Sequence, residues 1–271
     1  MLLEENVALD LKDLKGSTAL MWASATNHID CMKLLVEAGA QLDYKDLKGS
    51  TVLTWLSSKG DEQSVSYLIE KGADINVKDL EGNTPLMWAS STSHEGIVKK
   101  LIAAGAQLDI VDKNHNTALM WASANGHIEI VKMILEKGSH VDCQDINGFT
   151  ALMWAASKGH VEIVKLLLDA GAEVDLVNDE EKTALIMSSA SGYWECVELL
   201  VEAGANLEII NNEGNTAIMM AIAHGRKDCV EVLVDAGADT TVFNYKDRSA
   251  LGLAEIRGDK EILEIVKEAR S

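Results

Sequence analysis

The sequence has few of the residues that interrupt helices or build small cross-linked folds. It contains one proline, two phenylalanines and four cysteines in 271 residues. Because proline breaks helix interiors, its near absence favours a fold rich in helix. The four cysteines lie far apart and form no Cys-x-x-Cys pair, which argues against a disulfide framework or a zinc site built on such pairs.

Basic residues are also scarce relative to acidic ones. The chain has 24 Lys and Arg against 43 Asp and Glu, for a net charge of −19. This charge repels phosphate backbones and anionic membrane surfaces, so we expect no nucleic-acid partner. No apolar run reaches the roughly 20 residues of a membrane helix, and Met1 begins no basic-then-apolar signal, so we expect no membrane insertion. We expect a cytoplasmic monomer, with the nucleus as the alternative compartment.

A repeat of 33 residues is the dominant feature of the sequence. A threonine recurs at this interval and is replaced by serine in the eighth copy. We number the repeats one to eight by these residues: Thr18, Thr51, Thr84, Thr117, Thr150, Thr183, Thr216 and Ser249. Such a period indicates an array of small units that bury their apolar faces against one another. We predict one elongated domain with a partial repeat at residues 1–12, seven full repeats at 13–243 and a C-terminal capping repeat at 244–271.

Repeat five shows the pattern of one unit. The stretch Asp145-Ile-Asn-Gly-Phe-Thr predicts a turn, whose threonine caps a short helix over Ala151-Leu-Met-Trp-Ala-Ala-Ser157. After Gly159 a second helix is predicted from apolar residues at spacings of three and four: Val161, Ile163, Val164, Leu167 and Leu168. Gly171 is expected to end this helix.

This order of turn, threonine, short helix, Gly-His, longer helix and Gly-Ala resembles the ankyrin repeat. The family pattern Thr-Pro-Leu-His-x-Ala-Ala, Gly-His-x-x-Ile-Val and Leu-Leu-x-x-Gly-Ala is matched by Thr150 to Ala172, apart from the proline and the first histidine. The resemblance implies an all-α solenoid of about eight stacked helix-turn-helix units joined by β-hairpin-like loops. Glu181 stands where the turn glycine belongs, so we expect irregular geometry in the sixth repeat.

One position of the short helix carries a row of large side chains, which we call the Trp row. Its members are Trp22, Trp55, Trp88, Trp121 and Trp154, continued by Met187, Met220 and Leu253. In ankyrin-like stacks this side of the short helix contributes to the concave surface. The indoles either cover the seam between neighbouring helices or form the floor of a binding groove, since tryptophan is enriched at binding hot spots and its N–H needs a partner.

We predict that the concave face binds another protein or a peptide. The candidate contacts beside the Trp row are side chains that vary between copies: Ser58, Lys59, Asn125, Lys158, Asn116 and Phe149. We expect Trp88, Trp121 and Trp154 to contribute most of the affinity because they lie near the middle of the array.

The sequence shows no sign of catalysis. Histidines such as His94, His127 and His160 occur once per repeat, about 10 Å apart, which is too far to share a metal ion. We expect them to be scaffold residues, and we expect no cofactor, no metal and no enzyme activity. Cys31, Cys196 and Cys229 share a repeat position that carries isoleucine in other copies, so we predict buried thiols in a reducing compartment.

Two alternative functions remain. Some ankyrin domains attached to histone methyltransferases hold methylated lysine in a tryptophan cage, and this chain is similar in its short-helix tryptophans and negative charge. The chain is also similar to the ankyrin repeats of palmitoyltransferases, which carry a Met-Trp-Ala short helix. That likeness implies the substrate-recruiting domain of a larger enzyme.

Overall fold

A computed structural model describes residues 8–269 of the chain. Within this range the regular secondary structure consists of sixteen α-helices, and the one β-bridge joins Phe243 to Ser249. None of the helices in residues 8–269 is both long and apolar enough to cross a membrane. The chain forms two compact units, which are residues 1–122 with 132–139 and residues 123–131 with 140–271.

The first unit contains three complete helix pairs. The short helices α1, α3 and α5 lie side by side, and each packs against the longer helix that follows it. The bounds are α1 Ala19–Ala25, α2 Ile29–Glu37, α3 Val52–Lys59, α4 Glu62–Glu70, α5 Pro85–Ser91 and α6 Glu95–Ala103. Two further helices, α7 Ala118–Asn125 and α8 Ile128–Glu136, have residues in both units.

The second unit contains four complete helix pairs with the same arrangement. Its short helices pack in the order α9, α11, α13, α15, and its longer helices in the order α10, α12, α14, α16. The bounds are α9 Ala151–Lys158, α10 Val161–Asp169, α11 Ala184–Ser191, α12 Trp194–Glu202, α13 Ala217–His224, α14 Lys227–Asp235, α15 Ala250–Arg257 and α16 Lys260–Glu268.

The repeated threonine begins each short helix, as predicted. In repeat five the Thr150 hydroxyl accepts the backbone N–H of Met153 at 3.2 Å, which pairs one of the helix N–H groups that has no intrahelical partner. Equivalent bonds form at Thr18, Thr51, Thr84, Thr117 and Thr183. Thr216 is the exception, because its buried hydroxyl has no hydrogen-bond partner within residues 8–269.

The core lies between the two helices of each pair. In α10 the predicted apolar stripe is present, and Ile163, Val164 and Leu167 are fully buried. Cys196 and Cys229 are buried at the equivalent of Ile163. The prediction was wrong for Cys31, which is exposed. Its helix is the first longer helix in residues 8–269, so no described helix precedes it to cover that side chain.

The turns between repeats are hairpin-like without regular strands in the described range. In repeat two the turn closes through the Asp46 N–H, which donates to the carbonyl of Ser50 at 3.0 Å, and the Leu47 N–H donates to the carbonyl of Lys15 in the preceding turn at 3.0 Å. Gly49 has a φ of +74°, and a Cβ there would lie 2.7 Å from the backbone nitrogen of Leu80. Both facts favour glycine at this position.

The sixth turn keeps this geometry although it lacks glycine. Glu181 adopts a φ of +58°, and the Lys182 carbonyl accepts the usual bond from the Asn178 N–H at 3.1 Å. The irregularity expected there is therefore confined to a left-handed glutamate, a conformation that is costly for a side chain with a Cβ. The all-α fold of stacked helix-turn-helix units predicted from the sequence is confirmed within each unit.

The partial repeat predicted at residues 1–12 lies mostly outside the described residues, which begin at residue 8. The capping repeat predicted at 244–271 contains the helix pair α15 and α16, with residues 270–271 outside the described range.

Candidate functional site

Each tryptophan of the Trp row is bonded to an aspartate of its own repeat. The indole N–H donates to the Oδ2 atom of the aspartate nine residues earlier, at the start of the preceding turn. The five Asp–Trp pairs and their Nε1 to Oδ2 distances are Asp13–Trp22 at 2.9 Å, Asp46–Trp55 at 3.1 Å, Asp79–Trp88 at 3.0 Å, Asp112–Trp121 at 3.3 Å and Asp145–Trp154 at 3.2 Å. The bond fixes the ring against the turn.

The other carboxylate oxygen of each aspartate organises the turn itself. In repeat three the Oδ1 atom of Asp79 accepts the backbone N–H groups of Glu81 at 2.9 Å and Asn83 at 2.8 Å. The same bonds lower the pKa of the Asp13 carboxyl, chiefly through the Ser17 N–H, with smaller contributions from Trp22 and Lys15. Both oxygens therefore accept bonds within the repeat, and the indole N–H is already donated, so the tryptophan offers a ligand its ring face.

Repeats six to eight replace both members of the pair. Asparagine takes the aspartate position at Asn178, Asn211 and Asn244, and the Trp row continues as Met187, Met220 and Leu253. The Oδ1 atom of Asn211 keeps the turn bonds to the N–H groups of Glu213 at 3.0 Å and Asn215 at 2.9 Å, while its amide points to the Met220 sulfur at 3.7 Å. Within this one chain, aspartate accompanies tryptophan and asparagine accompanies methionine or leucine.

In the first unit the Trp row forms the floor of a groove of about 930 Å³. Trp22, Trp55 and Trp88 line it, and Trp22 is 46% exposed. Leu47 and Leu80, in the second and third turns, also line it and are 69% and 58% exposed. An apolar groove with a few polar groups at its edge is the usual form of a ligand site.

Lysines stand along the same groove. Lys15, Lys48 and Lys59 are among its lining residues and are exposed. The Lys59 Nζ donates to the carbonyl of Ala25 at 3.0 Å and lies 5.8 Å from the centre of the Trp55 ring. This distance is within the range of a cation–π contact, so the indole face already attracts a cation of the chain itself.

In the second unit the fifth repeat differs from this arrangement. The ring of Phe149 stacks on that of Trp154, with 4.7 Å between the ring centres and 30° between the ring planes. The phenyl ring covers part of the indole face. Lys158, the counterpart of Lys59, is exposed on the same short helix.

The structure brings together some of the residues that the sequence indicated. The groove in the first unit contains Trp22, Trp55, Trp88, Ser58 and Lys59. It does not include the remaining candidates, which are Trp121, Trp154, Met187, Met220, Asn125, Lys158, Asn116 and Phe149. Asn116 is instead bonded through its amide to the Asp112 carboxylate at 3.1 Å. Sequence reasoning missed Leu47 and Leu80, and it missed the aspartates, although the constant spacing of nine residues was there to find.

The histidines hold neighbouring repeats together. The Nε2 atom of His94 lies 3.2 Å from the carbonyl of Ser58, and that of His160 lies 3.3 Å from the carbonyl of Ala124, in each case at the end of the preceding short helix. Arg226 makes the equivalent bond to the carbonyl of Ala190 at 3.1 Å. Each contact joins a side chain of one repeat to a carbonyl at the end of the short helix in the preceding repeat.

A metal site and a reactive thiol each have requirements that the described residues can be compared with. Within residues 8–269 no group of three His, Cys, Asp or Glu side chains could hold a metal ion. Burial raises the pKa of the Cys196 thiol to about 11 and that of Cys229 to about 12, so both thiols stay protonated near neutral pH.

Comparisons with known proteins agree with this architecture. A family model described as "Ankyrin repeats (3 copies)" matches residues 1–79, 76–145 and 137–211, and a second, described as "Ankyrin repeats (many copies)", matches residues 189–234. No curated protein matches the chain. Among solved structures, the ankyrin repeat domain of Bcl-3, described as a unique member of the IkappaB protein family, is similar at a TM-score of 0.72 and 25% identity. The match covers 81% of this chain and 99% of that one. The repeat register, the capped short helices, the packed helix pairs and these matches together show that the chain belongs to the ankyrin-repeat family.

Proposed function

We propose that the protein is a non-enzymatic interaction module that binds a segment of another protein in the groove over Trp22, Trp55 and Trp88. The observation that supports this most is the combination of indole rings with exposed leucines in the lining of one groove. Leucines that are more than half exposed at two successive turn tips add apolar surface in contact with water, which a partner would cover. Members of this family are in general interaction modules, in accord with the proposal.

The fixed indole rings of the groove favour binding in which a few tryptophans contribute most of the affinity. The Asp–Trp bonds hold the rings before any partner arrives, so binding does not have to immobilise them. Central tryptophans that become desolvated commonly cost about 2 kcal/mol or more on truncation. We therefore place the main anchors at Trp55 and Trp88, earlier in the chain than the sequence alone suggested.

Site-specific cross-linking tests this proposal. A photoreactive phenylalanine analogue replaces Leu47 in one variant and Ile146 in another, since Ile146 occupies the same turn position in repeat five and is also exposed, at 56%. In extract from the source cells, we expect the probe at Leu47 to cross-link a distinct protein and the probe at Ile146 to give little of it. Adding Trp55→Leu to the Leu47 variant should abolish the product. Equal products from both probes, unaffected by Trp55→Leu, would contradict the proposal.

The methyl-lysine alternative has one supporting observation, which is the Lys59 ammonium 5.8 Å from the Trp55 ring centre. A cage, however, needs two or three rings around one cation within about 6 Å. The aromatic pair of the fifth repeat is stacked at 4.7 Å, which leaves no space for an ammonium group between the rings. A larger enzyme that recruits its substrate through these repeats would use the same groove, so the cross-linking experiment serves that alternative too.

A further inference from the structure

We infer that the turns of repeats six to eight form a second interaction surface, which binds a basic segment of another protein that also carries apolar side chains. This surface lies in the second unit, so it is separate from the groove over Trp22, Trp55 and Trp88 and does not depend on the proposed function. Two features of the turns support it: exposed apolar residues at one turn position, and an excess of acidic side chains around them.

One turn position changes its chemistry along the chain. It is the residue just before the aspartate or asparagine that organises each turn, and we call it the edge residue. In repeats one, two, three and five the edge residue is a lysine or a glutamine whose side chain donates to the backbone carbonyl of the edge residue in the next repeat. These bonds run from Lys12 to Lys45 at 3.0 Å, from Lys45 to Lys78 at 2.8 Å, from Lys78 to Val111 at 3.0 Å and from Gln144 to Val177 at 3.0 Å. The edge side chain of these repeats therefore reaches over the next turn.

Repeats six to eight have apolar edge residues instead. Val177, Ile210 and Phe243 have no donor group in their side chains, so they cannot bond to the next turn as lysine does. They are 40%, 38% and 65% exposed. Removing apolar surface from water is the main favourable contribution to most protein–protein association. These three side chains are therefore a surface that a partner gains by covering.

The turns that carry the three apolar edge residues are joined to one another. The backbone N–H of Asn212 donates to the carbonyl of Glu180, and that of Tyr245 donates to the carbonyl of Glu213, both at 3.2 Å. The Tyr245 side chain, in the same turn as Phe243, is 69% exposed and adds a further ring. An exposed apolar surface that continues from one turn to the next and has a polar rim is typical of an interaction site.

The same turns carry an excess of acidic side chains. Repeats six to eight have nine Asp and Glu against three Lys and Arg in the segments 173–183, 206–216 and 239–249. The equivalent segments of repeats one to three have seven against five, in 8–18, 41–51 and 74–84. The change from lysine to apolar edge residues thus coincides with a change from nearly balanced to acidic turns.

Most of this negative charge is not neutralised within the turns. Lys182 pairs with Glu180, and Lys246 pairs with Glu213 at 3.2 Å. The third base, Arg248, is exposed and forms no ion pair within residues 8–269. Four carboxylates are exposed, lie within four residues of an apolar edge residue and have no ion pair or hydrogen bond in the described part of the chain: Glu173, Asp179, Glu181 and Asp247.

These charges determine the class of partner. Exposed charges act over about 8 Å at physiological ionic strength, so the acids of these turns set the potential that a ligand meets there. Nucleic acids, anionic membranes and acidic segments are repelled by it. A segment that combines lysine or arginine with apolar side chains covers the apolar edge residues while its cations face the unpaired carboxylates, and opposite charge also speeds the encounter.

Synthetic peptides of twelve residues test the inference with the intact chain. The probe has four Lys-Leu-Gly repeats. One control, with four Glu-Leu-Gly repeats, reverses the charge, and the other, with four Lys-Ser-Gly repeats, removes the apolar side chains. Binding is measured by the fluorescence anisotropy of labelled peptide. We expect the probe to bind at least tenfold more tightly than either control. Equal or tighter binding of a control, or no binding of the probe, would overturn the inference.

Variants localise the binding. Ile210→Ser combined with Phe243→Ser should weaken probe binding at least tenfold, whereas Leu11→Ser combined with Leu14→Ser, which removes two exposed leucines of the first turn, should change it less than twofold. Circular dichroism checks that each variant keeps its helix content.

A second pair of substitutions tests the charges. Glu173→Asn and Asp179→Asn introduce the residues that repeat seven already has at these positions, Asn206 and Asn212, so the turn should be kept. Together they should weaken probe binding threefold or more at 50 mM salt and have little effect at 0.5 M, because salt screens exposed charges. An equal effect at both salt concentrations would contradict the role given to the carboxylates.

Two further outcomes would assign the apolar edge residues or the probe elsewhere. If Trp55→Leu abolishes probe binding and the Ile210 and Phe243 substitutions do not, the peptide occupies the groove of the first unit and the inference fails. If size-exclusion chromatography shows a dimer that the Ile210 and Phe243 substitutions convert to monomer, the surface is a contact between two copies of the chain and the inference also fails.

Discussion

Replacing Asp79 with asparagine tests the energetic value of the Asp–Trp pairs. The chain already carries asparagine at this position in Asn178 and Asn211, where Oδ1 accepts the same two turn bonds. We therefore expect Asp79→Asn to keep the turn and to lose the bond from the Trp88 indole, together with the longer contact from the Asn83 amide at 3.5 Å. The asparagine amide would then face the indole N–H, so two donors would meet.

The magnitude follows from the bond that is lost. A hydrogen bond to a charged group contributes about 1.5–3 kcal/mol, and the half-buried position of Trp88 places this one at the lower end. We expect Asp79→Asn to lower the free energy of unfolding by about 1–2 kcal/mol. Trp88→Met alone should also be costly, because it removes the indole donor from the Oδ2 atom of Asp79 and leaves only the longer contact from the Asn83 amide. The double variant rebuilds the arrangement of Asn211 and Met220 and should recover much of the loss.

Urea unfolding followed by circular dichroism measures all four proteins of this cycle without relying on the removed tryptophan. Hydrogen exchange of the amides in α5 shows whether the loss is local, as expected for an array whose units open separately. The expected result is a coupling of about 1–2 kcal/mol between the two positions. Additivity within about 0.5 kcal/mol would show that the bond contributes nothing to stability and would refute the reasoning.

Four further predictions concern other parts of the chain. His160→Ala should destabilise the fifth repeat by about 1 kcal/mol in urea unfolding, whereas His160→Arg should not, because arginine makes the same bond in repeat seven. Ser90→Ala should be neutral or stabilising in the same assay, since the buried hydroxyl has no partner within residues 8–269 and repeat five carries alanine there. A thiol reagent at pH 8 should modify the exposed Cys31 quickly and Cys229 only at the rate of local opening, because burial raises the pKa of the latter to about 12. Folding lowers the pKa of the Asp13 carboxyl below its ordinary value of 3.8. The carboxylate therefore stabilises the first turn above pH 3.8, and this stabilisation is lost as the pH falls through the lowered pKa. Amide hydrogen exchange should show the loss as reduced protection of the first turn in the native chain and not in Asp13→Asn.

Much of the fold was predictable because its determinants are local. The threonine cap and the apolar stripe of each longer helix involve residues within one or two helical turns, and both were found where the sequence placed them. The same reasoning failed at Cys31, because burial there depends on a neighbouring helix rather than on its own repeat position. It also expected irregularity at Glu181, where the bonds of adjacent turns hold the left-handed conformation.

The candidate site was predictable only in part. The Trp row was apparent from its period, but the bond from the Trp55 indole to Asp46 depends on how the turn folds back over the short helix. The bond from His94 to the Ser58 carbonyl joins residues 36 positions apart, and no local pattern indicates its acceptor. Leu47 and Leu80 also line the groove, and sequence reasoning assigned no role to either residue.

The most direct test of the central claim is the affinity of the protein cross-linked through Leu47 for two matched variants, Trp55→Leu and Trp154→Leu. Both remove an indole that is bonded to the aspartate nine residues earlier, so both leave the same polar group unpaired. If the partner binds in the groove of the first unit, Trp55→Leu should weaken binding tenfold or more, which corresponds to about 1.4 kcal/mol, and Trp154→Leu should leave it within twofold. Loss of affinity in Trp154→Leu with full binding by Trp55→Leu would contradict the account and place the site in the fifth repeat.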